Sequence, residues 1–443
     1  MNMNDNKFES KGGMGLAEVI VEAQRCLQCK VPQCQKGCPV SNLIPEWIAQ
    51  LGQGNFGNAI EIIRRRSNLP AVCGRVCAKE RQCEGHCILN KKDRPIRIGE
   101  LERFVADFDS IAGLEHASIP EKTKGRVAVI GSGPAGLTIS GNLSKMGFNV
   151  DIYEMEREAG GVLLYGIPEY RLPKEVVRRE VKRIEALGVG IHLGVTIGID
   201  YTIDDLFGMG YDAIFIGTGA GQPRKLPIKG MDNAGVYQAL RFLRRVQLWQ
   251  SGDIDRREVG IESGDKVYII GGGNTAMDAA RTAIRMGAGE VTVAYRKTIN
   301  EMRALRSEYE EAVEEGVRFM WNTEVKEAIG EPGSDRLSRL IIVENGVEKE
   351  VEADHLIGAV GSGPAARIVS TTTGIEVDER GYVKTTDEPY GMTTRAGVFA
   401  GGDVSDQPAT VVHAMRDAQL VAEGIGQYVA AVKLMGKINS RKG

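Results

Sequence analysis

The sequence of 443 residues has no cysteine after Cys87, which excludes a redox-active cysteine pair from the rest of the chain. Long apolar runs are also missing. No stretch approaches the ~18 residues that span a bilayer, and the polar start from Met1 to Gly15 lacks the apolar core of a signal peptide. Basic residues are dispersed apart from Arg64-Arg65-Arg66, and the formal net charge is -3, which argues against a nucleic-acid partner. We expect a cytoplasmic protein without a membrane segment.

All eight cysteines lie between Cys26 and Cys87, in two arrays. These are Cys26-x2-Cys29-x4-Cys34-x3-Cys38-Pro39 and Cys73-x3-Cys77-x5-Cys83-x3-Cys87. Because a reducing cytosol keeps thiols free, cysteines at this density indicate metal ligands rather than disulfides. The tight spacing and the final Cys-Pro favour two iron-sulfur clusters of the 4Fe-4S type. A pair of zinc sites with four cysteines each is the alternative, although zinc ligands are usually paired across a longer loop.

A dinucleotide-binding pattern begins after a polar connector. The apolar segment Arg126–Ile130 predicts a strand that runs into Gly131-Ser-Gly-Pro-Ala-Gly136 and then into a helix. Glycines at these positions permit a tight turn and a close approach to a pyrophosphate, and the helix N-terminus offers free N–H groups. Glu154 ends the next predicted strand, where its carboxylate can accept ribose hydroxyls.

A second fingerprint follows at Gly271-Gly-Gly-Asn-Thr-Ala276, after the predicted strand Lys266–Ile270. Here the second strand of the unit ends in Arg296-Lys297 rather than in an acid, and Arg303 follows. Guanidinium and ammonium groups pair with a 2'-phosphate that an acid would repel. This site is therefore predicted to prefer NADP(H) over NAD(H). The alternative for the three cations is an ordinary solvated face.

Two further glycine clusters suggest that the first nucleotide fold is interrupted by the second. One closes the apolar strand that begins at Ile214, and the other closes a strand that begins at Val398. The final helix is expected to direct its N-terminal amides at an anionic flavin edge. We predict an α/β protein with an N-terminal helical iron-sulfur module and two Rossmann-like domains, the NADP domain inserted in the FAD domain. The predicted bounds are 1–104 for the helical double-cluster domain, 105–124 for a connector, 125–239 and 362–443 for the FAD domain, and 240–361 for the NADP(H) domain.

Several motifs together carry a family resemblance. They are Cys-Gly-Arg-Val-Cys at 73–77, the run from Gly160-Gly161 to Lys174, both glycine fingerprints, and Gly401-Gly402-Asp403. Over roughly residues 16–432 the sequence resembles the glutamate synthase small-subunit family. That family includes the NADPH-dependent glutamate synthase β chain, the large subunit of the electron-bifurcating NADH-dependent ferredoxin:NADP oxidoreductase, and the N-terminal half of dihydropyrimidine dehydrogenase.

The resemblance implies cofactor positions residue by residue. The positions that match for FAD are Gly131, Ser132, Gly133, Pro134, Ala135, Gly136, Glu154, Gly160, Gly161, Val162, Arg171, Val195, Gly219, Gly402, Asp403, Thr410 and Val411. The positions that match for NADP(H) are Gly271, Gly272, Gly273, Asn274, Thr275, Arg296, Lys297 and Arg303.

The resemblance also implies a ligand set for each cluster. One cluster is held by Cys26, Cys29, Cys34 and Cys87, and the other by Cys38, Cys77, Cys83 and Glu102. Cys73 is then a spare thiol, so that dividing eight cysteines into two fours would be wrong. The alternative for Glu102 is an acid that starts or caps a surface helix.

The implied function is that of an oxidoreductase subunit. Hydride exchange between NADP(H) and FAD, followed by single-electron transfer through two 4Fe-4S clusters, needs no catalytic acid or base, and we see no catalytic triad. The chain has no barrel or amidotransferase region, so we expect a hetero-oligomer with a synthase large subunit or a flavin- and ferredoxin-linked subunit. Alternatives are an electron-input subunit of dihydropyrimidine dehydrogenase, a disulfide reductase of the thioredoxin-reductase type, and a non-enzymatic iron-sulfur sensing or structural module.

Overall fold

The computed structural model describes residues 13–113, 119–224, 226–364, 367–407 and 409–440. The first twelve residues of the polar N-terminal stretch, and 114–118 of the predicted connector, lie outside these ranges. The chain divides into two compact units. The first unit comprises residues up to 163, 171–221 and 363 onward, and the second unit comprises 164–170 and 222–362. Within the described ranges, no helix combines the length and the apolar character needed to cross a membrane.

The first unit opens with a module of six helices. They are α1 (Leu16–Gln24), α2 (Gln33–Lys36), α3 (Ile44–Gly52), α4 (Phe56–Arg64), α5 (Pro70–Val76) and α6 (Ile98–Ala112). Apolar residues three and four apart give α3 and α4 one buried stripe each, with Trp47, Ile48 and Leu51 inside on α3. Short 3-10 helices at Lys79–Arg81 and Ile88–Lys91 separate α5 from α6.

The end of α6 differs from the predicted connector. The sequence placed a polar connector from residue 105, but the helix continues to Ala112 and ends at Gly113 in the left-handed region, with φ +62°. Val105 and Ala106 are buried, so the apolar stripe of α6 extends past the predicted boundary. Of the two acids in this segment, Asp107 is half-buried, whereas Asp109 is buried and forms an ion pair with Arg64.

The nucleotide fold of the first unit follows the module. Its elements before the insertion are β1 (Gly125–Ile130), α7 (Pro134–Lys145), β2 (Phe148–Glu154), α8 (Val162–Tyr165), α9 (Lys174–Ala186), β3 (Gly190–Leu193), α10 (Ile203–Gly208) and β4 (Ala213–Ile216). The second unit contributes β5 (Gln222–Pro223), β6 (Val236–Gln238), α11 (Ala239–Gln250), β7 (Lys266–Ile270), α12 (Asn274–Arg285), β8 (Glu290–Tyr295), α13 (Arg306–Glu314), β9 (Arg318–Trp321), β10 (Thr323–Gly330), β11 (Leu337–Glu344), β12 (Val347–Glu352), β13 (His355–Gly358) and β14 (Ser362–Gly363). The chain ends with α14 (Arg367–Thr371), β15 (Thr385–Asp387), β16 (Tyr390–Thr393), β17 (Val398–Ala400) and α15 (Val411–Ser440).

One seven-stranded sheet forms the core of the first unit, in the order β15-β16-β17-β4-β1-β2-β3. β4 and β17 pair in parallel, with Ile214 opposite Val398, although residues 222–362 of the second unit lie between them in sequence. The predicted insertion of one nucleotide fold in the other is therefore confirmed. The central strands are buried on both faces, as expected for parallel strands covered by helices.

The second unit has a parallel five-stranded sheet, β6-β13-β7-β8-β9, and an antiparallel sheet, β10-β11-β12. It starts earlier than the predicted boundary at 240, because Val236 to Gln238 pairs with Leu356 to Gly358 in this sheet. The short β5 and β14 pair with each other. Leu164 to Tyr170 also belongs to the second unit, where the Tyr170 ring packs under the guanidinium groups of Arg281 and Arg285.

Candidate functional site

Four thiols of the N-terminal module surround one cavity, which we call the first cavity. It is lined by Cys26, Cys29, Cys34 and Cys87 together with apolar side chains. Cys26 follows α1, Cys34 lies within α2, and Cys87 precedes the 3-10 helix that begins at Ile88. The fold thus brings residues of both cysteine arrays together, in the combination that the resemblance implies for one cluster.

A second cavity in the same module gathers the other implied ligands. Its lining includes Cys38, Cys77, Cys83 and Glu102, and it also includes Cys73. Cys77 ends α5, and Glu102 lies on α6, which packs against α5 through Gly74 at the backbone of Arg103. A Cβ on Gly74 would lie 2.6 Å from the Arg103 nitrogen, so this close approach requires glycine.

The surroundings of the thiols suit thiolate ligands. Burial raises the pKa of Cys34 and of Cys38 to about 11. In the opposite direction, backbone N–H groups of Gln35 and Asn42 donate to these two sulfurs and favour their charged form. A bound metal deprotonates a coordinating thiol outright, and thiolates are the usual ligands of 4Fe-4S clusters. The donor set therefore fits such clusters.

A site for a single metal ion requires its ligands to lie closer together than a cluster does. Within the ranges that the structure describes, no three His, Cys, Asp or Glu side chains lie close enough together to hold one metal ion. Around the second cavity, the indole nitrogen of buried Trp47 and the side-chain oxygen of Asn42 have no hydrogen-bond partner among the residues that the structure describes. The Trp47 N–H is a buried donor that a sulfur-rich cluster could satisfy.

Glu102 lies inside α6, which begins at Ile98, so it neither starts nor caps that helix. Burial raises the pKa of Glu102 to about 8, the ammonium group of Lys79 opposes this rise, and Glu180 adds to it. The carboxyl group lines the second cavity rather than facing solvent. The alternative of a surface capping residue is therefore wrong.

Cys73 is buried behind the second cavity, with 3% of its surface exposed. Its sulfur lies 3.6 Å from the Met415 sulfur and 3.8 Å from the Ser67 hydroxyl. A hydrogen bond to Cys77, together with burial, holds the pKa of Cys73 well above its usual range. In this arrangement Cys73 is a buried thiol that contacts Met415, Ser67 and the implied ligand Cys77.

The two cavities share a wall. Ile44 and Ile98 line both of them. Val412, in the first turn of α15, lines the second cavity and not the first. Leu27 and Ile88 line the first cavity and not the second, and they are 59% and 44% exposed. The second cavity is therefore the one next to α15, and the first is the one that includes exposed apolar residues.

The first glycine fingerprint forms a tight turn between β1 and α7. Gly131 has φ +95°, which favours glycine, and a Cβ on Gly136 would lie 1.9 Å from the Gly131 carbonyl oxygen. A Cβ on Gly133 would meet nothing within 4 Å. The turn is thus tightly packed at Gly136 and open at Gly133, at the N-terminus of α7, where a pyrophosphate is expected.

Several predicted FAD positions meet beside this turn. The carboxylate of Glu154 accepts hydrogen bonds from the nitrogen and hydroxyl of Ser132, at 2.8 and 2.5 Å. The Ser132 hydroxyl in turn accepts from the nitrogen of Gly160 at 2.9 Å. Val195 donates its N–H to the Glu154 carbonyl at 2.9 Å, and a Cβ on Gly161 would lie 2.8 Å from the Gly133 Cα.

The Gly402 loop reaches the same helix start. A Cβ on Gly402, which has φ +75°, would lie 3.1 Å from the Ala135 Cβ. Burial raises the pKa of Asp403 to about 6, and its carboxylate accepts from the nitrogen of Ala409 at 3.3 Å. Thr410 follows, with its hydroxyl 2.8 Å from the His413 ring.

Asp417 was missed by the sequence reasoning. Its carboxylate accepts hydrogen bonds from the nitrogen of Gly402 at 2.5 Å and from the hydroxyl of Tyr390 at 2.8 Å. It lies on α15, behind the loop that carries Asp403. The sequence shows an acid at position 417 in the final helix, but its spacing from Gly402 does not indicate that the two residues are in contact.

The second fingerprint forms the corresponding turn in the second unit. A Cβ on Gly271, which has φ +145°, would lie 2.4 Å from the Ala359 carbonyl, whereas one on Gly273 would meet nothing within 4 Å. The nitrogen of Arg303 donates to the Gly272 carbonyl at 2.8 Å, and the Asn274 side chain accepts from Leu305 at 2.8 Å. The segment that carries Arg303 is therefore held against the turn.

The other predicted cations lie at the end of β8. Arg296 and Lys297 are both exposed directly after this strand. Lys297 forms an ion pair with Glu301 at 2.9 Å. The remaining predicted positions are Pro134 at the start of α7, Val162 at the start of α8, Arg171 before α9, Gly219 after β4, Thr275 in α12 and Val411 at the start of α15.

Comparisons with known proteins agree with this arrangement. A family model for pyridine nucleotide-disulphide oxidoreductases matches residues 125–418, and a model for the 4Fe-4S cluster domain II of dihydropyrimidine dehydrogenase matches residues 3–113. The glutamate synthase [NADPH] small chain of Halomonas elongata is 37% identical over 93% of this chain and 91% of its own length. The NAD-dependent dihydropyrimidine dehydrogenase subunit PreT of Escherichia coli is 35% identical over 93% of this chain and 94% of its own. A subunit beta of the NADP(+)-dependent formate dehydrogenase of Moorella thermoacetica is 34% identical over 89% of this chain and 60% of its own.

Solved structures show the same fold at lower identity. Mycobacterium tuberculosis FprA in complex with NADPH is 18% identical, with a TM-score of 0.59 over 70% of this chain and 86% of that one. The thioredoxin reductase of T. acidophilum is 21% identical, with a TM-score of 0.54 over 68% of this chain and 97% of that one.

Proposed function

Because this chain belongs to the glutamate synthase small-subunit family of pyridine nucleotide-disulphide oxidoreductases, we propose that it is the electron-input subunit of a larger redox enzyme. It is an NADP(H)-dependent oxidoreductase subunit with FAD and 4Fe-4S clusters. The proposal adds an assignment of the sites between which electrons pass. The residues of the second unit would hold NADP(H), those beside the start of α7 would hold FAD, and those lining the second and first cavities would hold the two clusters that accept single electrons.

The shared wall of the two cavities carries this proposal. Ile44 and Ile98 line both, and Val412 joins the second cavity to the helix start beside Asp403. Two cysteine sites built only for stability would need neither this adjacency nor the contact with the nucleotide fold. A serial arrangement supports electron transfer from the nucleotide fold to the surface.

The residues of this chain bind and orient. FAD, when bound, exchanges hydride with the nicotinamide and passes single electrons on. The open face at Gly133 and the N-terminus of α7 receive its pyrophosphate, and Asp417 fixes the Gly402 loop through the Gly402 nitrogen. Arg296 and Arg303 select the 2'-phosphate of NADP(H) in the second unit. No side chain needs to donate or abstract a proton in this assignment.

The acceptor of the electrons is a partner subunit. Its relatives include a glutamate synthase small chain and a formate dehydrogenase subunit beta, and both names denote one part of an assembly. We propose the same for this chain, with a synthase large subunit or a flavin- and ferredoxin-linked subunit as partner. The free cysteines suit a reducing, cytoplasmic environment. Mass spectrometry of proteins that co-purify with the native chain would identify the partner.

Cofactor analysis of anaerobically purified protein tests the proposal. We expect one FAD and about eight iron and eight sulfide per chain, as two 4Fe-4S clusters require. NADPH should bleach the flavin absorbance and then produce electron paramagnetic resonance signals of reduced clusters, more rapidly than NADH. Zinc in place of iron, or a flavin that NADPH does not bleach, would contradict the proposed function.

A further inference from the structure

Lys79 lines the second cavity together with the proposed cluster ligands Cys38, Cys77 and Glu102. The lysine is half-buried. Among the described residues, its ammonium group forms no ion pair within 4.0 Å, and it faces the carboxyl groups of Glu84 and Glu102 at longer range. A partly buried cation without an ion-pair partner is costly unless another negative group is nearby.

The position of Lys79 is fixed by its neighbours. Its carbonyl accepts hydrogen bonds from the nitrogens of Gln82, Glu84 and Gly85, each at 3.1 Å. Its side chain crosses Gly99 at the start of α6, where a Cβ would lie 2.2 Å from the Lys79 Cδ and 2.4 Å from its Cε. The missing side chain at Gly99 therefore gives the lysine stem its path along the cavity.

A second observation at the same cavity is independent of Lys79. The indole N–H of Trp47, a residue that is 1% exposed, has no hydrogen-bond partner in the described part of the chain. Two donors on the lining of one cavity, one of them charged, both require an acceptor or an anion there. A cluster held by three thiolates and one carboxylate carries a net negative charge and supplies both.

We propose that Lys79 is a positioning residue that raises the reduction potential of the cluster in the second cavity. A nearby positive charge stabilises the form with one more electron, and net charge is one of the factors that set cluster potentials. The effect favours acceptance of electrons from the flavin side, where Val412 lies. The inference rests on the proposed function, since it requires a cluster at this place.

Redox titration followed by electron paramagnetic resonance tests the inference in the full chain. Lys79→Met removes the charge and keeps the stem, so we expect a lower midpoint potential for this cluster and no change for the cluster of the first cavity. Lys79→Arg keeps the charge and should stay near the wild-type value. Lys92→Met, which removes an exposed lysine that lines neither cavity, is the matched control.

Gly99→Ala provides a second variant. The new Cβ displaces the flexible end of Lys79 without removing its charge, so the potential should fall in the same direction and by less. If Lys79→Met loses iron, Gly99→Ala gives the deciding value. Midpoint potentials in both variants that equal that of Lys92→Met would overturn the inference. Absence of iron from the wild-type protein would instead contradict the proposed function.

Discussion

Arg296 stands directly after β8 and is exposed, where the second strand of a nucleotide fold approaches the adenosine ribose. We expect Arg296→Glu to raise the KM for NADPH by roughly one to two orders of magnitude and to change that for NADH little. The reason is the loss of a charge-assisted pair with the 2'-phosphate, worth about 1.5–3 kcal/mol. Steady-state rates of reduction of an artificial electron acceptor, with NADPH or NADH as donor, give the two KM values.

Two comparisons sharpen this prediction. Lys297→Glu should have a smaller effect, because Lys297 already pairs with Glu301. Arg339→Glu, which changes a half-buried arginine on β11 paired with Glu350, should leave both KM values unchanged. Equal losses for NADPH and NADH in Arg296→Glu would show that this side chain does not contact the phosphate.

The choice between Glu102 and Cys73 is the second question at the residue scale. Both line the second cavity, so position alone does not separate them. If Glu102 is the fourth ligand, Cys73→Ser should retain both clusters, because the Cys73 thiol then binds no iron and only contacts Cys77, Met415 and Ser67. Glu102→Ala should leave one iron without a protein ligand and yield a labile or three-iron cluster.

Iron content and electron paramagnetic resonance spectra of the two variants decide the assignment. A carboxylate is a harder ligand than a thiolate, so its loss should also change the spectrum of the remaining cluster. Loss of a cluster in Cys73→Ser, with both clusters intact in Glu102→Ala, would reverse the assignment.

At the scale of elements, the β1–α7 turn contains two glycines with different roles. Gly136→Ala places a Cβ 1.9 Å from the Gly131 carbonyl, so we expect the apoprotein itself to be destabilised, by about 1–3 kcal/mol. Gly133→Ala meets no protein atom and has φ -67° and ψ -173°, which alanine adopts freely. It should leave apoprotein stability within ~0.5 kcal/mol of wild type but lower FAD content.

Thermal unfolding of apoprotein and FAD content of the purified variants give the two measurements. Comparison of Gly136→Ala with Gly133→Ala distinguishes a glycine required for packing of the turn from a glycine required for the approach of FAD. A Gly133→Ala protein with full FAD content would show that the pyrophosphate does not approach this face of the turn.

Sequence patterns predicted elements well where the signal was local. The strand, glycine turn and helix of both fingerprints follow from consecutive residues, and Glu154 was correctly placed at the end of β2. The sequence patterns gave wrong boundaries where contacts between distant parts of the chain determine where an element begins or ends. Val236 to Gln238 belongs to the second sheet only because His355 to Gly358 lies beside it, and α6 continues past 104 because its apolar stripe has a partner. Asp417 and Lys79 reach their sites through tertiary contacts that no local spacing records.

At the scale of the whole molecule, the first cavity opens near a group of exposed apolar side chains. Leu27 and Ile88 line it, and Val31 nearby in sequence is 56% exposed. If the partner subunit docks there, Val31→Glu should weaken co-purification and electron transfer to the partner, with iron content and NADPH-dependent flavin bleaching unchanged. Burying a new charge at an interface is costly.

Val347→Glu is the matched control, since Val347 is 58% exposed on β12 of the second unit. It adds the same charge away from the cysteine module. A Val31→Glu chain that still retains its partner would place the docking surface elsewhere.

The insertion of the second unit has an evolutionary consequence. The chain leaves the first sheet after β4 and returns before β17, and at the point of departure Arg224 donates its N–H to the carbonyl of Gly361 at 3.1 Å. The two ends of the inserted stretch 222–362 are thus neighbours in the structure. A lineage could exchange residues 222–362 for a unit that accepts another donor while every cysteine and the flavin turn kept their places. Only the segment Leu164 to Tyr170, which also belongs to the second unit, would have to change with it. The specificity for the electron donor and the sites for the electron-transfer cofactors are therefore free to evolve at different rates.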